Sequence, residues 1–339
     1  MTLIEQSTHA AVDAEGRFRF GCYHEPIARV NFEDAALSDC PAWWGRPRPG
    51  LLGRLVRRMR KKEWHYVSAV TRECFLGVAV AQLGYVANVF AYFVDRETAT
   101  MVETEVLSPL GLGVKIAGSS VDGATTWGGQ SVSLAWHGGG WDCALALRLA
   151  RRPLNATLRV EADRAVALLY PLGSNRAAYT HKEAGNRCSG TLEYGGRRYS
   201  LDGHAAMDWT RSFANRRTEW NWLCLAGTST DGRRVGVNAS ARVYGDAENF
   251  AWVDGAPLAL GEVRFEVPPD PLKPWKISGE RIALEFTPLG QRAQNTNLGL
   301  VTSRFTQPFG TARGELRLPD GIVPLRDIFG VVEDHLAVW

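Results

Sequence analysis

The sequence lacks the patterns that mark several common classes of protein. Its six cysteines include no C-x-x-C pair, so their spacing does not indicate a zinc site. It has no phosphate-binding loop, no dinucleotide-binding glycine fingerprint and no βαβ repeat. It also lacks a G-x-S-x-G nucleophile elbow, which argues against a serine hydrolase. No set of His, Asp and Glu has metal-ligand spacing, so we expect neither a metal nor an organic cofactor.

The chain also has little excess charge. Its net charge is +3 with a pI near 8.5, and no basic groove interleaved with aromatics stands out, so nucleic acid is not an expected partner. The first residues, MTLIEQSTHAAVDAEG, have no basic region followed by an apolar run and do not resemble a signal peptide. We therefore expect a cytoplasmic protein with free, buried thiols.

One uncharged run reaches the length of a membrane span. Residues Phe75 to Val94 read FLGVAVAQLGYVANVFAYFV. The run contains Gln82, Gly84 and Asn88 and is rich in valine and aromatic residues. It therefore predicts two buried strands joined by a turn.

What the sequence does have favours an all-β fold. Hydrophobic residues make up 45% of the chain, with 35 glycines and twelve tryptophans. Turn dipeptides separate short β-rich segments, and they supply the positive φ that tight hairpins need. These are Gly195-Gly196, Asp231-Gly232, Asp254-Gly255, Ser278-Gly279 and Asp320-Gly321. Many short strands at regular spacing predict antiparallel barrels or sandwiches.

A composition shift divides the strand-rich chain. The segment ARRPLN, at residues 150–155, interrupts two β-rich halves. It predicts an N-terminal β domain over residues 1–150 and a C-terminal β domain over residues 155–339.

One short basic helix is expected near the N-terminus, over about residues 51–63. In LLGRLVRRMRKKE the apolar residues fall on one helical face and the basic residues cover the rest. Such a helix either leans its apolar face on the barrel or lies on an anionic membrane through the Arg54–Lys62 stretch. Both positions stay open at this stage.

An acidic residue in an apolar, tryptophan-rich region is the main candidate for chemistry. Asp208 follows HAAM, and a strand-like segment with Trp220 and Trp222 comes a dozen residues later. Burial among indoles disfavours a charged carboxyl, so a protonated Asp208 becomes a proton donor to an olefin. The faces of Trp209, Trp220 and Trp222 would stabilise the resulting cation. The alternative is a structural carboxylate that caps a turn or pairs with Arg211, Arg216 or Arg217.

Two histidines are the best additional candidates. His65 and His204 each have an imidazole that titrates near neutrality, which suits reprotonation or orientation of the acid. Each is also compatible with a purely structural role. The cluster Glu333-Asp334-His335 in the last strand is interpreted as an exposed strand end bonded to a neighbouring turn.

Three motifs resemble a known group of proteins. AMDWTRSFANRRTEWNWLCLAGTSTDG is similar to the M-D and G-W-D-W segments of AttH-like and carotenoid 1,2-hydratase (hydroxyneurosporene synthase) proteins. EWHYVSAV resembles their first E-W-W-Y strand, and GVVEDHLAVW resembles their closing strand. The whole chain is most similar to a bacterial domain-of-unknown-function family, number 2804. His65 and Asn221 depart from the group's motifs.

The resemblance implies a fold and two functions. It implies two consecutive lipocalin-like antiparallel β-barrels or sandwiches with a tunnel lined by Trp64, Tyr66, Trp209, Trp220 and Trp222. The first functional hypothesis is a cofactor-independent hydratase, cyclase or isomerase that protonates an apolar unsaturated lipid or isoprenoid. The alternative is a non-catalytic carrier that holds a small hydrophobic ligand in the same tunnel.

Overall fold

The chain folds into two large, curled antiparallel sheets preceded by a short helical segment. The structure is a computed structural model and describes residues 8–38, 40–129, 131–173, 176–297 and 302–339. The helical segment comprises a 3₁₀ turn at Phe32–Asp34, α1 at Ala42–Gly45 and α2 at Leu51–Arg60. These elements and the sheets that follow confirm the all-β prediction.

Fourteen strands of the described chain form the first sheet, in the order β5-β4-β3-β2-β14-β12-β10-β9-β8-β7-β6, with β11 and β13 beside β12 and β1 beside β11. Their bounds are β1 Gly21–Tyr23, β2 Lys62–Val70, β3 Cys74–Gln82, β4 Val86–Asp95, β5 Thr100–Pro109, β6 Val114–Lys115, β7 Ala124–Trp127, β8 Ser131–Trp136, β9 Gly140–Leu149, β10 Arg152–Glu161, β11 Val166–Pro171, β12 Ala177–Tyr194, β13 Arg197–Ser200 and β14 Gly203–Ser212.

Nine further strands form the second sheet, in the order β18-β17-β16-β15-β23-β22-β21-β20-β19. Their bounds are β15 Arg217–Thr228, β16 Arg234–Ala241, β17 Phe250–Val253, β18 Ala256–Ala259, β19 Val263–Glu266, β20 Trp275–Gly279, β21 Ile282–Asn297, β22 Thr302–Leu318 and β23 Gly321–Val338.

The uncharged run 75–94 forms a hairpin, as predicted. It lies in β3 and β4, which pair along their whole length from Cys74 opposite Asp95 to Gln82 opposite Ala87. Gly84, in the turn, has a φ of +92° that favours glycine. Within the described residues, we find no helix with the length and apolar character needed to cross a membrane.

The composition shift at residues 150–155 marks a turn and not a change of sheet. Ala150 and Arg151 both have positive φ and connect β9 to β10, which pair as a hairpin inside the first sheet. The sheets divide later in the chain, between Ser212 and Arg217. A turn rich in arginine and proline changes the local composition without ending the sheet.

The two sheets meet backbone to backbone at a pair of glycines. At Gly185, β12 carries a bulge with a φ of +80°, and this bulge contacts Gly236 of β16. A methyl group added to Gly236 would lie 2.1 Å from the carbonyl group of Ala184. Arg234 stabilises this contact between the sheets, since its guanidinium donates a hydrogen bond to the Gly185 carbonyl at 2.6 Å and pairs with Asp163. Away from this contact, side chains fill the space between the sheets.

Of the apolar face of helix α2, only Val56 packs against the core of the first sheet, and the leucines point outward. Leu51 and Leu52 are 79% and 63% exposed, whereas Gly53 and Arg57 are buried. The Arg57 guanidinium donates to the backbone carbonyls of six residues, which fixes the helix with its arginine inward. The acceptors are Phe32, Glu33, Ala35, Trp44, Gly45 and Arg46. The packed orientation considered from the sequence is therefore wrong.

Candidate functional site

A cavity of about 230 Å³ lies between the two sheets. On the first sheet its wall includes a row of directly opposed residues on three adjacent strands, Tyr66 of β2, Asp208 of β14 and Lys182 of β12. Alternate residues of a strand point to opposite faces, so these three side chains share the face that looks toward the second sheet.

A second row faces the cavity from the other sheet. Here Ser240 of β16, Trp222 of β15 and Glu333 of β23 are directly opposed across adjacent strands. Trp222 packs edge-on against Tyr66 with 5.5 Å between ring centroids, so the two rows touch. The site thus combines strands that are far apart in the sequence.

Asp208 forms an ion pair inside this cavity. Its Oδ2 lies 2.5 Å from the Lys182 Nζ, and its Oδ1 accepts a hydrogen bond from the Thr210 hydroxyl at 3.1 Å. The Lys182 ammonium also lies 3.6 Å from the Glu248 Oε2. Lys182 is the ion-pair partner that the sequence-based hypothesis for Asp208 lacked.

The three charged groups are not equivalent. Burial by itself would lower the pKa of Lys182, but Asp208 and Glu248 outweigh this effect and raise it. Burial also raises the pKa of Glu248 above its ordinary 4.5, and the negative charge of Asp208 adds to that shift, whereas Lys182 opposes it. Among the described residues, the Glu248 Oε2 has no hydrogen-bond partner. Glu248 is therefore the carboxyl of the cluster that favours its protonated form.

Glu248 reaches the cavity from a loop and not from a strand. Residues 242–249 connect β16 to β17, and Arg242 and Gly245 in this loop have positive φ. The Asn238 side chain, which accepts a hydrogen bond from the Trp222 indole at 2.8 Å, donates to the Glu248 carbonyl at 2.9 Å. The loop therefore places its carboxyl beside Lys182 with little freedom.

Glu333 and His335 form a second polar group in the same cavity. The Glu333 carboxylate accepts hydrogen bonds from the Trp220 indole at 2.8 Å, from His335 Nδ1 at 3.1 Å and from Gln307 at 2.6 Å. Burial alone would raise the pKa of Glu333, but these donors lower it. The other ring nitrogen of His335 lies 3.1 Å from the Ser303 hydroxyl. The interpretation of this cluster as an exposed strand end is wrong, because Glu333 is buried.

Of the residues predicted from the sequence, Trp64, Tyr66, Asp208, Trp220 and Trp222 all line this cavity. The structure therefore brings together one of the three acid–base candidates and four of the five aromatic candidates.

His65 faces away from the cavity. It is a neighbour of Tyr66 on β2, so its side chain enters the core of the first sheet, where Nδ1 lies 3.1 Å from the Thr125 hydroxyl. Burial, and to a lesser extent the neighbouring His181 ring, lowers the pKa of His65 to about 3. His65 is thus placed as a neutral core histidine.

His204 and Trp209 also lie elsewhere. His204 contacts the Thr228 hydroxyl at 3.0 Å and lines a different cavity of about 250 Å³. Trp209 is fully buried on the face of β14 opposite to Asp208, beside Tyr179 and the Arg211 guanidinium. Adjacent residues of a strand cannot share a face, which is why Asp208 and Trp209 separate.

Arg211 is not the partner of Asp208. Its guanidinium pairs with Glu63 at 2.6 Å and donates to the backbone carbonyls of Val30 and Ala117. Sequence reasoning missed the two true neighbours of Asp208, which are Lys182 and Glu248. The sequence does contain a signal for Lys182. Every second residue of β12 from Ala178 to Ala184 shares one face of the strand, and on that face Lys182 is a charged residue between small ones.

One buried network has the connectivity of a hydrolase but no room for a substrate. His181 lies 2.8 Å from the Ser120 hydroxyl and 3.0 Å from Glu183, and all three residues are at most 2% exposed. It belongs to the core of the first sheet. The described residues contain no group of three or more His, Cys, Asp or Glu that would hold a metal ion.

Comparisons with known proteins agree on the family and the fold. The model of a family described as a domain of unknown function, DUF2804, matches residues 4–339. No curated protein matches the sequence significantly. These results confirm the resemblance to family 2804 drawn from the motifs.

Three solved structures resemble the chain. A protein described as AttH from Nitrosomonas europaea has a TM-score of 0.53 and 12% identity, covering 82% of this chain and 93% of that one. Kievitone hydratase from Nectria haematococca has a TM-score of 0.41, and CghA has one of 0.40. Both are 10% identical, covering 82% of this chain and 88% of theirs. The AttH match shows that the fold is shared.

Proposed function

The chain belongs to the DUF2804 family, a domain of unknown function, and from that premise we propose that it is an acid–base enzyme acting on an apolar, unsaturated molecule. The observation that carries this proposal is Glu248, a buried carboxyl of raised pKa beside the Asp208–Lys182 pair in an aromatic cavity. Perturbed acids grouped in a cavity are typical of catalytic sites. A simple container for an apolar ligand does not need three buried ionisable groups, since burying such groups is costly.

The proposed reaction begins at Glu248. Its protonated carboxyl donates the proton to one carbon of a C=C bond, which leaves a cation on the other carbon and a carboxylate on Glu248. The faces of Trp222 and Tyr66 and the Asp208 carboxylate stabilise that cation. Asp208 was the acid of the sequence-based hypothesis; its ion pair supports instead a role as a fixed negative charge.

The cation is then consumed in one of three ways. Addition of water makes the enzyme a hydratase. Attack by a second double bond closes a ring and moves the cation to a new carbon, which then loses a proton to the Glu248 carboxylate; this makes the enzyme a cyclase. Loss of a different proton from the first cation to the Glu248 carboxylate makes it an isomerase. For hydration, His335 is the proposed base that accepts a proton from water, because Glu333 orients its ring through Nδ1. The substrate class that fits the aromatic walls is a lipid or isoprenoid with a compact reactive end.

The first experiment is to identify what the protein binds. Native mass spectrometry followed by solvent extraction of the recombinant protein names the bound hydrophobe. Incubating that compound with the protein in D₂O then tests proton transfer, since the product should carry one deuterium on carbon. Recovery of the compound unchanged and undeuterated would favour the carrier function instead.

Variants locate the acid. Glu248→Gln should lower turnover by about 100-fold or more while the compound still binds. Glu262, an exposed glutamate just before β19, gives the matched control Glu262→Gln, which should keep full turnover. Full turnover in Glu248→Gln would contradict the assignment of the acid.

A further inference from the structure

Helix α2 presents an apolar face to the outside of the molecule. Leu51, Leu52 and Leu55 are 79%, 63% and 54% exposed, and Met59 is 37% exposed. The six backbone contacts of Arg57 on the opposite side hold the helix in this orientation. A helix that exposes leucines and buries an arginine reverses the usual amphipathic arrangement.

A second group of exposed leucines lies beside this helix. Leu107 is at the end of β5, and Leu110 and Leu112 follow in the next turn, all more than half exposed. The Arg58 guanidinium donates to the Leu110 carbonyl at 2.8 Å, which ties the turn to α2. The apolar surface therefore continues from the helix to the edge of the first sheet.

The surroundings of these leucines are strongly positive. Residues 46–62 contain eight Lys or Arg and no Asp or Glu. Of these, Arg57 and Lys62 are buried, and Arg48 and Lys61 pair with acidic residues outside this range. Arg54, Arg58 and Arg60 are exposed and alternate along α2 with the exposed leucines. We call the exposed residues of α2 the leucine–arginine face, which comprises Leu51, Leu52, Arg54, Leu55, Arg58, Met59 and Arg60.

This face adjoins the cavity. Gly84, in the turn between β3 and β4, lies against the backbone of Arg58 and Met59. Leu83 in the same turn lines the cavity, and the Lys62 ammonium donates to its carbonyl at 2.8 Å. The end of α2 is thus one turn of chain away from the cavity wall.

We propose that the leucine–arginine face docks on an anionic lipid bilayer. Exposed leucines insert at the boundary between headgroups and acyl chains, and arginines beside them contact the acidic headgroups. The exposed charges of Arg54, Arg58 and Arg60 select an anionic surface over a neutral one. Docking places the wall at Leu83 next to the bilayer. Uptake of an apolar substrate from the membrane is a further step that rests on the proposed function, whereas docking itself does not.

Vesicle co-sedimentation with the full chain tests docking. The protein should bind vesicles of equal parts phosphatidylcholine and phosphatidylglycerol, and binding should weaken as salt is added. The triple variant Leu51→Ser, Leu52→Ser, Leu55→Ser should lose about 100-fold in partitioning. The double variant Arg54→Gln, Arg60→Gln should lose about 25-fold, because each arginine near an anionic surface contributes about five-fold.

A matched control distinguishes binding through this face from nonspecific binding through any exposed apolar residue. Leu272, Leu289 and Ile322 are also 45–55% exposed but lie on strands of the second sheet or in its β19–β20 connection, and their triple replacement by serine should leave binding unchanged. Equal loss in this control, or no binding of the native protein to anionic vesicles, would overturn the proposal. So would a dimer in light scattering that only the α2 triple variant dissociates, since the face would then bind a second copy. Docking variants that keep turnover on a dissolved substrate leave the proposed function intact.

Discussion

Glu248 couples the stability of the protein to pH through its buried carboxyl. Because burial raises its folded-state pKa, the folded protein keeps this proton at pH values where the unfolded chain has lost it. Its contribution to stability is therefore fully present below pH 4.5 and is lost as the pH rises through the raised pKa. We expect the stability of Glu248→Gln to decrease less with rising pH than that of the native protein.

Urea unfolding at a series of pH values checks that prediction. The difference between the native protein and Glu248→Gln isolates the residue from groups with the opposite effect, such as His65. The low pKa of His65, about 3, means that stability falls as the pH drops below the 6.5 of an unfolded histidine. A difference that does not change with pH would show that the pKa of Glu248 is the same in the folded and unfolded protein, which would contradict the shift.

Lys182 neutralises the cluster, and its removal should be costly. Lys182→Met leaves the Asp208 carboxylate buried beside Glu248 without a cation, which we expect to destabilise the protein by about 3–5 kcal/mol. Adding Asp208→Asn to the same chain should recover part of the loss. Denaturant midpoints of the two single variants and the double variant measure this coupling. Simple additivity of the single effects would mean that the two side chains do not interact.

Among single residues, the sequence predicts the site residues that stand out within one segment. It misses the site residues that reach the cavity through strand pairing or through a loop. Asp208 was found because an acid among apolar residues is visible in one segment. Lys182 and Glu248 are 26 and 40 positions away from it in the chain, so only strand register and loop closure bring them together. Trp209 lies outside the site because residues adjacent in a strand point to opposite faces of the sheet.

Among the secondary-structure elements, helix α2 depends on one buried arginine, Arg57, for its position against the rest of the protein. We expect Arg57→Met to destabilise the helical segment by about 3 kcal/mol, because six carbonyls lose a charged donor. Hydrogen exchange of the amides in residues 42–60 reports the effect locally. Arg54→Met is the matched control, since Arg54 is exposed, and should change stability by less than about 0.5 kcal/mol. Equal effects of the two substitutions would contradict the role of Arg57.

The elements themselves were largely predictable. Four of the five turn dipeptides lie in tight hairpins between the expected strands, since positive φ at glycine is a local property. At Ser278-Gly279 the strand continues to Gly279 and the turn follows. The orientation of α2 was not predictable, because the apolar stripe of its sequence gives no sign of the carbonyls that gather around Arg57.

For the whole molecule, the contact of Gly185 with Gly236 sets the distance between the sheets. Gly236→Ala should cost about 1–3 kcal/mol and push the sheets apart, since its methyl group would overlap the Ala184 carbonyl. Gly118→Ala is the control, because nothing lies within 4 Å of its added carbon. Thermal melting of both variants checks the prediction. An unchanged melting temperature of Gly236→Ala would mean that the two sheets can move apart at this contact without loss of stability.

The position of β14 also determines when the first sheet is completed during synthesis. β14 lies between β2 and β12, yet it begins at residue 203, about 130 residues after β2 ends. Until the ribosome has released Ser212, the hairpins built on β2 and on β12 are two separate half-sheets with unpaired central edges. Such edges are sites of aggregation, and long-range pairing is slow. Chaperones that shield nascent strands would therefore act longest on this half of the protein.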